Sequence, residues 1–399
     1  MRGRRSLLAA AALTALTPVA CAALLDDDVT GPTEAIGGAD ASVDGAAPGS
    51  VDARSDVAPG RDGDAPDADT CAATGTLRMD DVFGQKDVPV ANARTVVTPA
   101  GQIVTVGSAT CGDAGVQSVA VHAFDVNDTP GPLLRCLGSP GVGEVVHTVA
   151  HGDGLFVVAT RRQSARGGAG LWTFTETGAP FDKNIEPAAG AQPLFAHPAG
   201  NVVWATLEAS VPTLRVGAPA LGSRPLPQGT QPLTGASDGK HFYVVLHSTT
   251  LDALVVRRYE LTSGAFGLDT TFNPPDYSLA GLVGAETALV GLGSVLAESG
   301  TLLVAVPAGP GVQAVVSTDG GAWKTVATVP GFSSRTLLSR SCDGSLVVAM
   351  AGQISRVVPG IAPVTLKLPT TRPLLSLARD PQGRFVVQVS PASVLRVLP

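Results

Sequence analysis

The chain has 399 residues, of which 44% are hydrophobic, 4% aromatic and only 15% charged, with a formal net charge of −7. Three arginines lie within the first five residues, and residues 26–70 carry twelve acidic side chains against two arginines, so residues 71–399 hold 22 of each sign and are neutral. A neutral, charge-poor body lacks the clustered Lys and Arg that displace counterions from a phosphate backbone, which excludes nucleic-acid binding as an expectation.

The chain opens MRGRR, continues into an apolar run over residues 7–16 and reaches the small-residue stretch TPVAC. A cationic start, a short apolar core and a cleavage region predict an export signal over residues 1–21. The apolar run is too short for a spanning helix, which needs about 20 residues. The longest later stretches without charge, residues 187–207 and 299–318, each contain prolines and glycines and are not spanning helices either. Arg4-Arg5 reads as simple leader charge rather than a twin-arginine signal. Val19-Ala20-Cys21 resembles the lipobox of bacterial lipoproteins, with Pro18 where a Leu-like residue is usual. That resemblance implies acylation of Cys21 and a cell-surface or outer-membrane location. Ala20-Cys21-Ala22 also satisfies the small-x-small cleavage rule, the alternative being a periplasmic or secreted protein.

Residues 22–70 are acidic, without aromatics and rich in Ala, Gly and Pro, a composition too poor in apolar surface to offset ordering entropy. A disordered tether is expected there, and a β-repeat domain over residues 71–399. Setting Cys21 aside leaves Cys71, Cys111, Cys136 and Cys342, an even number that favours two disulfides in an exported chain. Cys111 with Cys136 is the preferred pair because they flank one strand-rich segment, with Cys71 then reaching Cys342. No CxxC zinc arrangement occurs.

From about residue 95 a pattern of turn, Gly and apolar β run recurs seven times, anchored at Gly101, Gly154, Gly200, Gly239, Gly300, Gly344 and Gly383. An apolar stretch precedes nearly every copy, so each unit begins strand, tight turn, strand, with Gly supplying the positive φ of the turn. The anchors recur at a mean interval of about 47 residues, the length of a four-stranded propeller blade. Dividing residues 71–399 into seven equal parts gives the same length, so anchor count and chain length agree independently. An all-β, seven-bladed β-propeller is predicted. The chain ends at Pro399, too soon after Gly383 to finish a blade, and residues 74–83 are the expected donor of the missing strand. Residues 280–297 are the one stretch where a helix is conceivable.

LVVRRYELTSGAFGLDTTFNP, residues 254–274, resembles the delta-60 repeat of bacterial exported propellers, with looser echoes at residues 119–131 and 170–182. The Gly anchors resemble the same family's D-G-K-I-V-V segment. The resemblance implies a propeller without catalytic activity.

Four other motifs have a bland reading. Gly235-Ala236-Ser237-Asp238-Gly239 matches the nucleophile elbow G-x-S-x-G, but a strand rather than a helix follows, so a repeat turn is expected. Ser317-Thr318-Asp319-Gly320-Gly321-Ala322-Trp323 resembles an Asp-box, whose Asp braces a hairpin. His147 and His151, with Asp153 as a conceivable third ligand, lack the context of a metal site and read as blade residues. Asp125, Asn127 and Asp128 lack the Gly and Glu of a calcium loop and read as a turn.

No catalytic, cofactor-binding or metal-ligating residue is therefore expected, and no cofactor. The expected function is that of a surface-tethered, non-enzymatic monomer that binds an unidentified protein or small molecule and contacts the membrane by its lipid anchor only. The alternative is a hydrolase-type or other propeller enzyme with its site at the central channel, which convergent charged residues at one channel mouth would favour.

Overall fold

The structure is a computed structural model. It describes residues 76–399 except 112–115, 126, 138–143, 153, 163–168, 176–179, 187–190, 198–200, 209–210, 218–221, 263–264, 281–293, 332 and 334. The export signal, the tether, Cys21, Cys71, Asp153 and Gly200 lie outside the described residues.

The strands form seven antiparallel sheets, each built on a meander of four strands taken consecutively from the chain, with one exception, and Tyr277–Ser278 adds a short fifth strand beside Ala253–Thr262. The innermost strands are Ala91–Val97, Glu144–Gly152, Gln192–His197, Thr230–Ser237, Val295–Glu298, Leu337–Arg340 and Leu374–Arg379, which define blades 1 to 7. Each inner strand neighbours those of the blades before and after it, and that of blade 7 neighbours that of blade 1, so the ring is closed. The protein is a seven-bladed β-propeller.

Six of the seven anchor glycines are described, and all lie in the turn after an inner strand with φ between 73° and 88°. That left-handed backbone is strained for any residue with a Cβ, which is why the repeat is read from its glycines. The second strand of each blade is covered on both faces and so is mostly apolar: Leu346–Met350 and Phe385–Val389 are buried at every position, Gln388 being the one polar residue among them. Outer strands such as Gly222–Pro225 are exposed and polar.

Seven apolar clusters fill the ring, one between each pair of adjacent blades. The cluster between blades 7 and 1 joins Phe83, Val88 and Val90 of the N-terminal segment to Val386 and Val394.

The exception is blade 7, where the C-terminus supplies three strands, the last being Ser393–Leu398, and the N-terminal segment the outer edge. Arg78 pairs with Leu398 and Met79 with Val397; Gln85, Lys86 and Asp87 then pair with Leu395, Val394 and Ser393. Closure by the expected donor segment thus occurs, and it extends past residue 83 to Asp87. Cys111 and Cys136 form a disulfide with Cα atoms 6.1 Å apart, and Cys342 is also disulfide-bonded. The stretch read as a conceivable helix, residues 280–297, lies outside the described residues from 281 to 293, and Val295–Glu298 is the inner strand of blade 5. Among the described residues no helix is long and apolar enough to cross a membrane.

Candidate functional site

All seven inner strands line one central channel of about 430 Å³. Its two mouths differ in charge. The anchor turns gather at one of them: Gly101 lies against Gln382 of the blade 7 anchor, and the Asp238 carboxylate accepts the Gly300 N–H at 3.0 Å. There, cations meet anions. Arg340 donates to Glu298 at 2.8 Å and Arg384 to Asp380 at 2.5 Å. Arg379, which lines the channel, donates to the Arg340 carbonyl at 3.2 Å.

At the opposite ends of the inner strands the balance fails. In five of the seven inner strands the pairing with the second strand slips near its start, between Ala91 and Arg94, Val146 and Thr148, Pro193 and Phe195, Pro232 and Thr234, and Leu374 and Ser376. Such bulges re-aim side chains. Arg94 follows the slip of blade 1, and His147 is the bulged residue of blade 2. Arg94 lines the channel at 9% exposure; its Nε donates to the His147 carbonyl at 3.0 Å and its Nη1 to the carbonyls of Ala93 and Asn92 at 3.2 and 3.4 Å. Thr95 is tied to blade 7, its N–H donating to Ser376 Oγ at 2.8 Å and its hydroxyl to Gln388 at 2.8 Å, which fixes the strand that carries Arg94. Arg335, just before the inner strand of blade 6, supplies a second cation.

Burial, and then repulsion from Arg335, push the Arg94 guanidinium down to about 9. His147 is pushed down to about 3, first by burial and then by the charges of Arg94, Arg335 and Arg161. The imidazole is neutral at pH 7 while Arg94 remains cationic. Among the described residues, no carboxylate pairs with Arg94, Arg335 or Arg161. A desolvated cation without an anion is costly in a low-dielectric site, and Arg335 and the more exposed Arg161 add to the positive potential that Arg94 makes there.

The sequence-flagged residues fall largely into structural roles. Ser237 Oγ donates to the His241 carbonyl at 2.9 Å and accepts the Gly239 N–H at 3.0 Å, so the G-x-S-x-G serine is engaged within an anchor turn. Asp319 accepts the Gly321 N–H at 3.1 Å, and the Trp323 indole donates to the Pro275 carbonyl at 2.6 Å, packing edge-on to Tyr277. Asp125 accepts the N–H groups of Asn127 and Thr129, and Asp128, with φ 58°, accepts from Arg396, so this segment is a turn. His151 lines the channel and packs on Phe156 at 4.6 Å between ring centroids.

The LDTTF residues brace blade 4. Asp269 accepts from Arg258 and Thr271, Phe272 is buried between blades 4 and 5, and the Arg258 guanidinium lies 4.6 Å above its ring. Among the described residues, one group has ligand atoms close enough to share a metal, His241, Glu260 and Asp269, within 4.8 Å of one another. Arg258 already occupies Asp269 at 2.6 Å, and Asp238 faces His241 Nδ1 at 3.3 Å.

Sequence reasoning did not single out Arg94 or Arg335. The available signal was positional: Arg94 and His147 stand at the same distance before their anchor glycines, Gly101 and Gly154.

No protein-family model matches the chain, and no curated protein matches it in sequence. Solved structures do match in fold. The WD40 β-propeller domain of Doa1 is similar at 10% identity, over 81% of this chain and 97% of that one, with a TM-score of 0.50. Streptogramin B lyase is similar at 11% identity over 81% and 97%, with a TM-score of 0.51. A chain of the mitotic checkpoint complex is similar at 12% identity over 81% and 93%, also with a TM-score of 0.51. Identities this low show the propeller scaffold and nothing finer.

Proposed function

We propose that this protein is an exported, non-enzymatic binding module whose ligand seat is the central channel. The observation that carries the reading is the channel itself: all seven blades line it, and its volume of about 430 Å³ suits a small molecule. The disulfide between Cys111 and Cys136 supports an oxidising compartment. The leader then directs export, Cys21 carries the lipid, and residues 22–70 give the propeller a reach of about 40 Å from the membrane surface. The Arg258, Asp269 and Phe272 brace supports kinship with delta-60 propellers, since it gives Asp269, Thr271 and Phe272 of the quoted motif a blade-building role. The charged mouth bears on the enzyme reading, yet the serine of the nucleophile motif is held in a turn and His147 is crowded by cations rather than set against a nucleophile. Binding is therefore preferred to catalysis.

Ala378 lines the channel, and Ala378→Trp should plug it. A thermal-shift screen of small molecules is expected to yield a compound that stabilises the wild type and not Ala378→Trp. A compound that stabilises both equally places the seat elsewhere. For the anchor, labelled palmitate should enter the wild type and not Cys21→Ser; an unlabelled wild type overturns acylation.

A further inference from the structure

We infer that the channel's ligand is a small organic anion whose carboxylate or phosphate group is held by Arg94 at the channel's end, in the field of Arg335 and Arg161. This rests on the channel being the seat, and adds the ligand's chemistry. Arg94 is nine-tenths buried, lines the channel and spends Nε and Nη1 on backbone carbonyls. Its Nη2 and the guanidinium of Arg335 have no hydrogen-bond acceptor among the described residues. A buried guanidinium is ordinarily neutralised by a carboxylate, as in this protein's own pairs of Arg396 with Asp80 and Arg258 with Asp269. Here the neutralising group is missing from the protein's described residues, while the planar donor fork of arginine is suited to two oxygens of a carboxylate or phosphate.

The field is also kept free of competition. His147 stays neutral at pH 7, so it neither adds a fourth charge nor offers an anion. Beyond the mouth the lining turns apolar through Val96, Val149, Leu338 and Leu377, which suits the carbon body of an organic anion better than a bare ion. At the opposite mouth Arg340 and Arg384 are each met by a carboxylate, Glu298 and Asp380.

The test uses the full chain and two probes, inorganic phosphate and citrate, each compared with sodium chloride at equal ionic strength. Either probe should raise the melting temperature of the wild type beyond chloride, and the one that acts identifies the headgroup. Arg335→Gln should weaken that binding at least tenfold and, by removing repulsion on Arg94, raise the melting temperature in oxyanion-free buffer. Arg94→Gln should weaken binding at least as much, and Arg335→Gln alone decides the matter where that variant does not fold. Arg372→Gln, an exposed arginine elsewhere, should bind as the wild type does. No stabilisation of the wild type by either probe, or stabilisation undiminished in Arg335→Gln, overturns the inference. A neutral compound lost in Ala378→Trp but kept in Arg335→Gln overturns the anion and leaves the channel reading standing. Oxyanion binding lost in Arg335→Gln but kept in Ala378→Trp does the reverse.

Discussion

The carboxylate of Asp238 accepts the backbone N–H of Gly300 at 3.0 Å, so the anchor turn of blade 4 is bonded to the anchor turn of blade 5. The same carboxylate accepts the N–H groups of Lys240 and His241 and the hydroxyl of Tyr243. Burial raises its pKa, but these donors together outweigh burial and hold it below the ordinary aspartate value. Asp238→Ala strands several donors at once, and should lower unfolding free energy by about 3 kcal/mol in urea titration. Asp238→Asn keeps an acceptor and should lose less. A loss below about 1 kcal/mol in Asp238→Ala, the worth of a single ordinary hydrogen bond, would show that the turn does not depend on this group.

That relationship also marks how far the sequence could be read. The anchors Asp238-Gly239 and Ser299-Gly300 are local signals, because a positive φ in a tight turn calls for glycine wherever it occurs, and so blade number and blade order were legible. The donor strand was legible too, since the stretch from Gly383 to Pro399 is too short to make a blade. The charged mouth was not. Arg94 precedes the first anchor glycine and Arg335 follows the fifth, and only ring closure sets them beside one channel. The bulges that place Arg94 and His147 interrupt the two-residue alternation on which a strand's facing is read, so neither orientation followed from the pattern.

Where the ring closes, an ion pair joins the N-terminal strand segment of blade 7 to its C-terminal strand. Arg396 Nε lies 2.6 Å from Asp80 Oδ2, its Nη1 lies 2.5 Å from Asp128, and its guanidinium sits 4.4 Å over the ring of Phe83. Asp80 also accepts the N–H groups of Val82 and Phe83, which shapes the turn between the two N-terminal strands. Both side chains are at most 8% exposed, so Asp80→Ala leaves a buried cation with only the more exposed Asp128. We expect a loss of about 3 kcal/mol by chemical denaturation, with hydrogen exchange rising first in Ser393–Leu398. Uniform acceleration across all blades would mean that the ends do not open as a unit.

The Cys111–Cys136 disulfide closes a loop with a sequence separation of 25, joining the second and fourth strands of blade 1. The double variant Cys111→Ala, Cys136→Ala should be less stable by about 3 kcal/mol in the chain-entropy account. Alkylation of the unfolded, unreduced wild type should leave Cys111, Cys136 and Cys342 unmodified by mass spectrometry, since all three are disulfide-bonded. Alkylation at Cys111 or Cys136 would contradict the pairing.

The cationic mouth predicts a pH dependence with a definite sign. His147 titrates near 3 in the folded protein against 6.5 when exposed, so between these values the unfolded chain takes up a proton that the folded chain refuses. Stability therefore falls as pH drops from 6.5, with a slope approaching about 1.4 kcal/mol per pH unit for one proton. His122 and His197 are also lowered by burial and add to the slope, so the measurement is a difference. His147→Gln should flatten the dependence between pH 6 and 4.5 by about one proton. Saturating oxyanion beside Arg94 cancels part of the field from Arg94, Arg335 and Arg161, which moves the imidazole back toward 6.5. Phosphate or citrate, whichever binds, should then reduce the slope in the wild type but have no such effect in His147→Gln. An unchanged slope in His147→Gln without oxyanion would show that this imidazole titrates alike in the folded and unfolded chains.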